Sequence, residues 1–280
     1  MGDRRMFALT RKIAPLALAA AMIAGLPGPA TAGVGDLLVA PTRVVLDGRR
    51  GTEIILNNIG DEPATYRISV EFRRMTPEGT LVDVADPNAE EKAAADMIVY
   101  APRRVTLAPH QPQSIRIAAR PPQGLPDGEY RVHLLFRAIP QPIPVAKDAP
   151  SAGSGLSFQL IPVYGVTIPV IVRLGNLEAK AAISNVELEK KDGKSLISLN
   201  LSRSGERSTF GEVRVLKAGV KDPIAVQKGV AVYTEIGSRH VAIPLDGSFT
   251  GEIAGPVTVQ YLETSRDGIQ KLAETQAVLR

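Results

Sequence analysis

The 280-residue chain contains no cysteine and no tryptophan. Without cysteine there is no disulfide, no zinc–cysteine centre, no cysteine-ligated iron–sulfur cluster and no thiol nucleophile. The fold must rest on its own hydrophobic cores, and a chain of this length can build them, most naturally as two domains of ordinary size. Aromatic residues make up only 4% of the chain, too few for the ring stacking on which carbohydrate binding leans. His110, His133 and His240 are scattered, and none has a second histidine or a carboxylate at ligand spacing, so no metal site is expected. No G-x-S-x-G elbow, phosphate-binding loop or dinucleotide fingerprint is present. Acidic residues are dispersed, usually beside Lys or Arg, as on solvated strand faces. Nothing here argues for an enzyme, and no cofactor is implied.

No run is apolar and long enough to span a membrane, but the N-terminus carries a targeting signal. Arg4, Arg5, Arg11 and Lys12 precede a largely apolar run from Ile13 to Leu26, too short for a spanning helix and suited to export. Ala30-Thr31-Ala32 follows as a small-x-small cleavage site, so residues 1–32 read as a signal peptide cut after Ala32. The segment holds four basic residues and Asp3, so its removal takes the net charge from +4 to near +1. The basic isoelectric point therefore owes much to the signal, and no nucleic-acid footprint is read from it.

What the chain does have is period-two alternation punctuated by Gly, Pro, Asn and Asp, the pattern of an all-β sandwich. The first half predicts strands at 37–46 (broken at Pro41), 52–58, 64–73, 103–107, 113–119 and 129–138. A short helix is expected between Asp86 and Met97, with Asp86 as its cap and Pro87 in its first turn. Residues 140–155, rich in Pro, Ala, Gly and Ser, read as a loop. After Gly175-Asn176 a second series is expected near 180–190, 195–203, 210–216, 223–230, 238–244, 256–262 and 270–278, with turns at Asp192-Gly193, Ser204-Gly205 and Asp267-Gly268. The domains are therefore drawn as 33–175 and 176–280.

The segment 156–173, LSFQLIPVYGVTIPVIVR, is the most informative part. It has no charge before Arg173 and, fully extended, would span roughly 60 Å, beyond the roughly 10 residues of an ordinary strand. Pro162, Gly165 and Pro169 suit an edge or bulged strand. A long apolar edge invites pairing with another chain; the other reading is two core strands kinked at Gly165. Arg43, in APTRVVLDG, stands amid an apolar strand. It reads either as an edge arginine in solvent or as a carboxylate anchor, since a guanidinium grips a carboxylate through two parallel hydrogen bonds.

RVVLDG at 43–48, APRRVTLAPHQPQSIRI at 101–117, LPDGEYRVHLLFRAIP at 125–140 and the long segment at 156–173 together resemble the periplasmic pilus-assembly chaperones of the chaperone–usher type. The resemblance implies two immunoglobulin-like β-sandwich domains in a boomerang. It implies a periplasmic chaperone that binds pilus or fimbrial subunits by donating its seventh strand, with an outer-membrane usher as a further partner. On that resemblance Phe158, Leu160, Pro162 and Tyr164 are donor-strand contacts, and Arg43 anchors the subunit's C-terminal carboxylate. Glu129 and Arg173 match a structural pair that fixes the domain angle. The family's seventh-strand lysine is replaced by Pro169, so Arg43 grips the carboxylate alone, or Thr167 or Arg104 assists as an auxiliary anchor, or the chain handles another subunit class. Exposed apolar area of this kind is usually hidden by something, and self-association of the free form is one way to hide it. The alternative reading is a structural sandwich protein or fibre subunit of the envelope.

Overall fold

The computed structural model describes residues 37–140, 162–265 and 268–280. The signal segment with its cleavage site, and Phe158 and Leu160, lie outside the described residues. In the first half the strands are β1 (Leu37–Ala40), β2 (Val44–Leu46), β3 (Thr52–Asn58), β4 (Ala64–Glu71), β5 (Arg73–Met75) and β6 (Leu81–Asp83). Helix α1 (Ala89–Met97) comes next, then β7 (Ile98–Ala101), β8 (Arg104–Leu107), β9 (Pro112–Ala119), β10 (Gly128–Ile139) and β11 (Gly165–Leu174). The second half comprises β12 (Ala179–Lys191), β13 (Lys194–Gly205), β14 (Thr209–Lys217), β15 (Ala225–Val232), β16 (Ser238–Pro244), β17 (Gly255–Ser265) and β18 (Gly268–Leu279).

These strands make two immunoglobulin-like β-sandwiches. In the first, a sheet ordered β1-β3-β9-β7 packs on one ordered β2-β11-β10-β4-β8; in the second, β12-β13-β16 packs on β15-β14-β17-β18. Alternation decides the faces. Ile54, Leu56, Ile115 and Ile117 turn inward from one sheet, to meet Tyr66, Ile68, Leu134, Phe136, Ile168 and Val170 of the other. Ile197, Leu199 and Leu201 meet Val213, Val215, Val259 and Tyr261 in the same way in the second core. Each such fully buried side chain stabilises by about 1.5–3 kcal/mol, and this replaces the disulfides that the composition excludes. The Asp192-Gly193 turn joins β12 to β13 with positive φ at both residues (51° and 74°), as a tight hairpin requires.

Four expectations need correction. The first strand does not merely break at Pro41: residues 41–43 carry the chain from one sheet to the other, so β1 pairs with β3 while β2 pairs in parallel with β11. The helix is capped by Asn88, not Asp86. The Asn88 side chain accepts the Glu91 N–H at 2.8 Å, and the Glu91 carboxylate accepts the Asn88 N–H at 2.7 Å. The hairpin β5–β6 and strand β7 escaped the alternation pattern because they are only three and four residues long. Of the long segment, the strand occupies Gly165–Leu174, while 162–164 lie outside any strand. Nor is it unpaired: β10 covers one side throughout, and β2 covers the other at Val170–Val172.

Candidate functional site

β2 covers only the last part of β11, leaving Gly165–Ile168 with no partner on the outer side among the described residues. Which groups this edge presents follows from the ladder. The Ala138 N–H donates to the Tyr164 carbonyl at 2.9 Å. Antiparallel pairs alternate, so the even residues of β11 spend their backbone groups on β10 and the odd ones turn theirs outward. Gly165 and Thr167 each offer a free N–H and C=O, whereas Pro169 has no N–H and its carbonyl is taken by the first bond of the parallel pairing with β2. Proline is tolerated at Pro169 because the donor it lacks would have pointed away from β10.

Side chains divide by the same parity. Ile168, Val170 and Val172 are buried in the first core. Tyr164 continues that row beyond the sheet and is 56% exposed; Pro162 is exposed as well. Leu37, Tyr66, Phe136, Tyr164, Gly165 and Val166 line an opening of about 210 Å³ there.

The odd residues face the second sandwich. Val44 pairs with Val170, so Arg43 stands beside Pro169 at the end of the free edge. It enters a cleft between the sandwiches. The guanidinium lies 4.6 Å from the centroid of Phe210 and 5.7 Å from that of Tyr233. Its Nη2 donates to the Ser208 Oγ at 3.2 Å, while Nη1 is buried without an acceptor. Burial holds its pKa below the usual value, and the nearby Arg173 and Arg131 add to this, against the pull of Tyr233 and Glu129. An arginine remains a cation under any ordinary condition, so Arg43 is a charged group short of an acceptor.

Neighbouring residues lock the cleft. Arg173 Nε donates to Glu129 at 2.9 Å, and the same carboxylate oxygen accepts the Ser208 N–H at 3.0 Å. Arg173 Nη2 donates to the Ser208 carbonyl at 3.0 Å. The expected pair of Glu129 and Arg173 is therefore present, and both members touch the second sandwich through Ser208. Arg131 lies 3.7 Å over the Tyr233 ring and donates to both oxygens of Glu235, at 2.6 and 2.9 Å. Met75, Ile171, Ala231 and Tyr233 form a small apolar cluster across the boundary. His133, opposite Pro169 on β10, is fully buried with neither ring nitrogen partnered. Burial, then Arg131, Arg73 and Arg43, push its pKa down to about 3, so the imidazole is neutral.

Thr167 shares the odd face with Arg43, one pleat along. Arg104 does not belong to this site. It stands on β8, at the edge of the sheet opposite β2, roughly 19 Å away at the usual strand spacing. As an auxiliary anchor for Arg43, Arg104 is therefore out of reach. Ser208, Phe210, Tyr233, Glu235 and Arg131 were missed. The available signal was the run EYRVHL, in which 129, 131 and 133 are polar and alternate with buried 130, 132 and 134; that face is covered by the second sandwich instead of water. Among the described residues no group of three His, Asp or Glu could hold a metal ion, and no helix is long and apolar enough to cross a membrane.

No family model matches the chain, and no curated protein matches it. Solved structures of similar arrangement include the YadV chaperone (14% identity, 87% of this chain and all of that one, TM-score 0.45). Others are the E. coli chaperone DraB (16%, 88% and 99%, TM-score 0.43) and the Salmonella enterica SafA pilin in complex with the SafB chaperone (14%, 89% and 99%, TM-score 0.42). Similarity at this level assigns no role to any residue here.

Proposed function

We propose that this chain is a periplasmic chaperone that holds exported subunits of a surface fibre, such as pilus or fimbrial subunits, for delivery to an outer-membrane usher. It holds them by adding the free edge of β11 to a subunit sandwich that lacks a strand. The observation that carries this reading is the continuity of that edge with Arg43, a buried cation with an unused donor. A strand laid along Gly165 and Thr167 gains backbone hydrogen bonds worth about 0.5–1.5 kcal/mol each, net. Pro162 and Tyr164, with Phe158 and Leu160 before them, supply apolar side chains for the subunit's groove. At the end of the edge, a C-terminal carboxylate meets Arg43, with Thr167 beside it. Binding of this kind uses no cofactor and no catalysis. The export signal places the protein in the periplasm, and self-association covers the edge when no subunit is bound.

The test is recovery of a subunit with the tagged mature protein from periplasm in cells expressing its neighbouring genes. A stoichiometric small exported β-protein is expected. Arg43→Ala should weaken its retention by roughly 1.5–3 kcal/mol, and Arg43→Lys, which keeps the charge but loses the fork, should weaken it less. Normal retention by Arg43→Ala would remove the anchor. A clean monomer without partner would favour a structural protein of the envelope.

A further inference from the structure

The outer face of the five-stranded sheet carries a charge pattern that the fold itself does not use. Arg104 of β8 stands opposite Arg67 of β4, Arg67 opposite Arg137 of β10, and Arg137 opposite Gly165 of β11. All three arginines are exposed. Among the described residues none of them has an ion-pair partner. Like charges directly opposed across strands destabilise a sheet, and neighbours about 5 Å apart sit inside a screening length of about 8 Å. An anion at this row would relieve that repulsion.

The row leads to the free edge. Its fourth position, Gly165, has no side chain and turns its backbone outward. A strand added there would set one residue directly beside Gly165, roughly 9.6 Å from Arg137, with a Leu135 methyl group lying over the glycine where a Cβ would stand. The flanking rows are neutral: Thr65 with Thr106 on one side, and Ser69, Leu135 and Thr167 on the other. The positive band is therefore one residue wide. That suits a carboxylate on a single strand, gripped by a guanidinium fork, better than a polyanion, which would touch several rows. We propose that the strand docking on β11 carries an aspartate or glutamate opposite Gly165, and that Arg137, at the near end of the arginine row, selects for it. This rests on the strand-addition reading and adds a charge rule to it.

The experiment measures retention of the co-purifying subunit by the full mature chain at increasing NaCl. Wild-type retention should fall with salt, and in the triple variant R67Q/R104Q/R137Q it should be weaker and fall less steeply, the Arg43 contact supplying the dependence that remains. Arg137→Glu should lower retention about tenfold, and replacing the subunit's facing acid with arginine should restore it. The positions are exposed, so unfolding curves like wild type certify the variants. Thr167→Pro separates the two ideas: it deletes an outward N–H and spares the β10 ladder. If it abolishes retention while the arginine variants bind like wild type, the charge rule is overturned and strand addition stands. If it leaves retention intact, or no subunit is retained at all, strand addition falls and the charge rule with it. A lysine or apolar residue at the facing position of the subunit also overturns the rule.

Discussion

Removing either member of the Glu129–Arg173 pair should destabilise the protein, but not equally. The Glu129 side chain is fully buried and its Oε2 accepts two hydrogen bonds, whereas Arg173 is 24% exposed and also holds the Ser208 carbonyl. In Glu129→Ala the surviving guanidinium keeps both of its acceptors on Ser208 and partial access to water. The loss is two charge-assisted hydrogen bonds, about 3 kcal/mol after the survivor's solvation is allowed for. In Arg173→Ala the survivor is a carboxylate with no access to water and one remaining donor. Its Oε1 has no partner even in the intact protein. That places the loss in the range of about 3–5 kcal/mol for a broken buried pair.

The assay is calorimetric unfolding of the two single variants and the double variant. For a protein of this size a loss of about 3 kcal/mol lowers Tm by roughly 6–12 °C. Arg173→Ala should be the worse single variant. The double variant should be less damaged than the sum of the singles, with a coupling of about 2 kcal/mol. Equal single effects, or additive ones, would refute the reasoning: the buried carboxylate would then have found water or another donor.

Two further perturbations test other parts of the argument. His133 has a folded pKa near 3, below its ordinary value of 6.5, so the unfolded chain binds a proton that the folded one refuses. Its contribution is complete above pH 6.5 and should be lost toward pH 3 at up to about 1.4 kcal/mol per pH unit; urea unfolding of His133→Phe should flatten that slope. Gly211 lies at the irregularity in the β14–β15 ladder, where a Cβ would stand 2.1 Å from the Leu262 carbonyl oxygen. Gly211→Ala should cost at least about 2 kcal/mol, seen as a lower transition for the second sandwich alone, and an unchanged Tm would mean that the strands can part there.

The sandwiches were legible because each core strand buries one face and wets the other. Ile54, Leu56, Ile115 and Ile117 could be assigned without coordinates. The same rule failed where a polar face meets another domain. Glu129, Arg131 and His133 have the spacing of a solvated face, and only the second sandwich makes that face an interface. Tyr233 and Phe210, which flank Arg43, lie far along the chain, and no periodicity links them to it. Arg104 could not be placed for a related reason: alternation does not give the order of strands in a sheet, and β8 lies at the edge away from β2. The long segment was half legible. Its apolar composition marked an edge, but pairing at Val170–Val172 depends on a strand switch at 41–43 that alternation does not encode.

That switch also explains how Pro169 and Arg43 belong together. β2 pairs with β11 from Val170 onward and takes the Pro169 carbonyl, so Pro169 is the last residue at which an outward N–H would be uncovered. A lysine or any other residue there would present a backbone donor; proline presents none. The terminus of an added strand therefore finds no backbone donor at the end of the edge. The nearest donor is the unused Nη1 of Arg43, held in place by Phe210 and Ser208. On the strand-addition reading, Pro169 thus concentrates the whole anchoring demand on one guanidinium. Pro169→Lys should then add a second cation and tighten capture, while Pro169→Ala, which restores only an N–H, should tighten it less; equal capture by all three proteins would show that no carboxylate ends there.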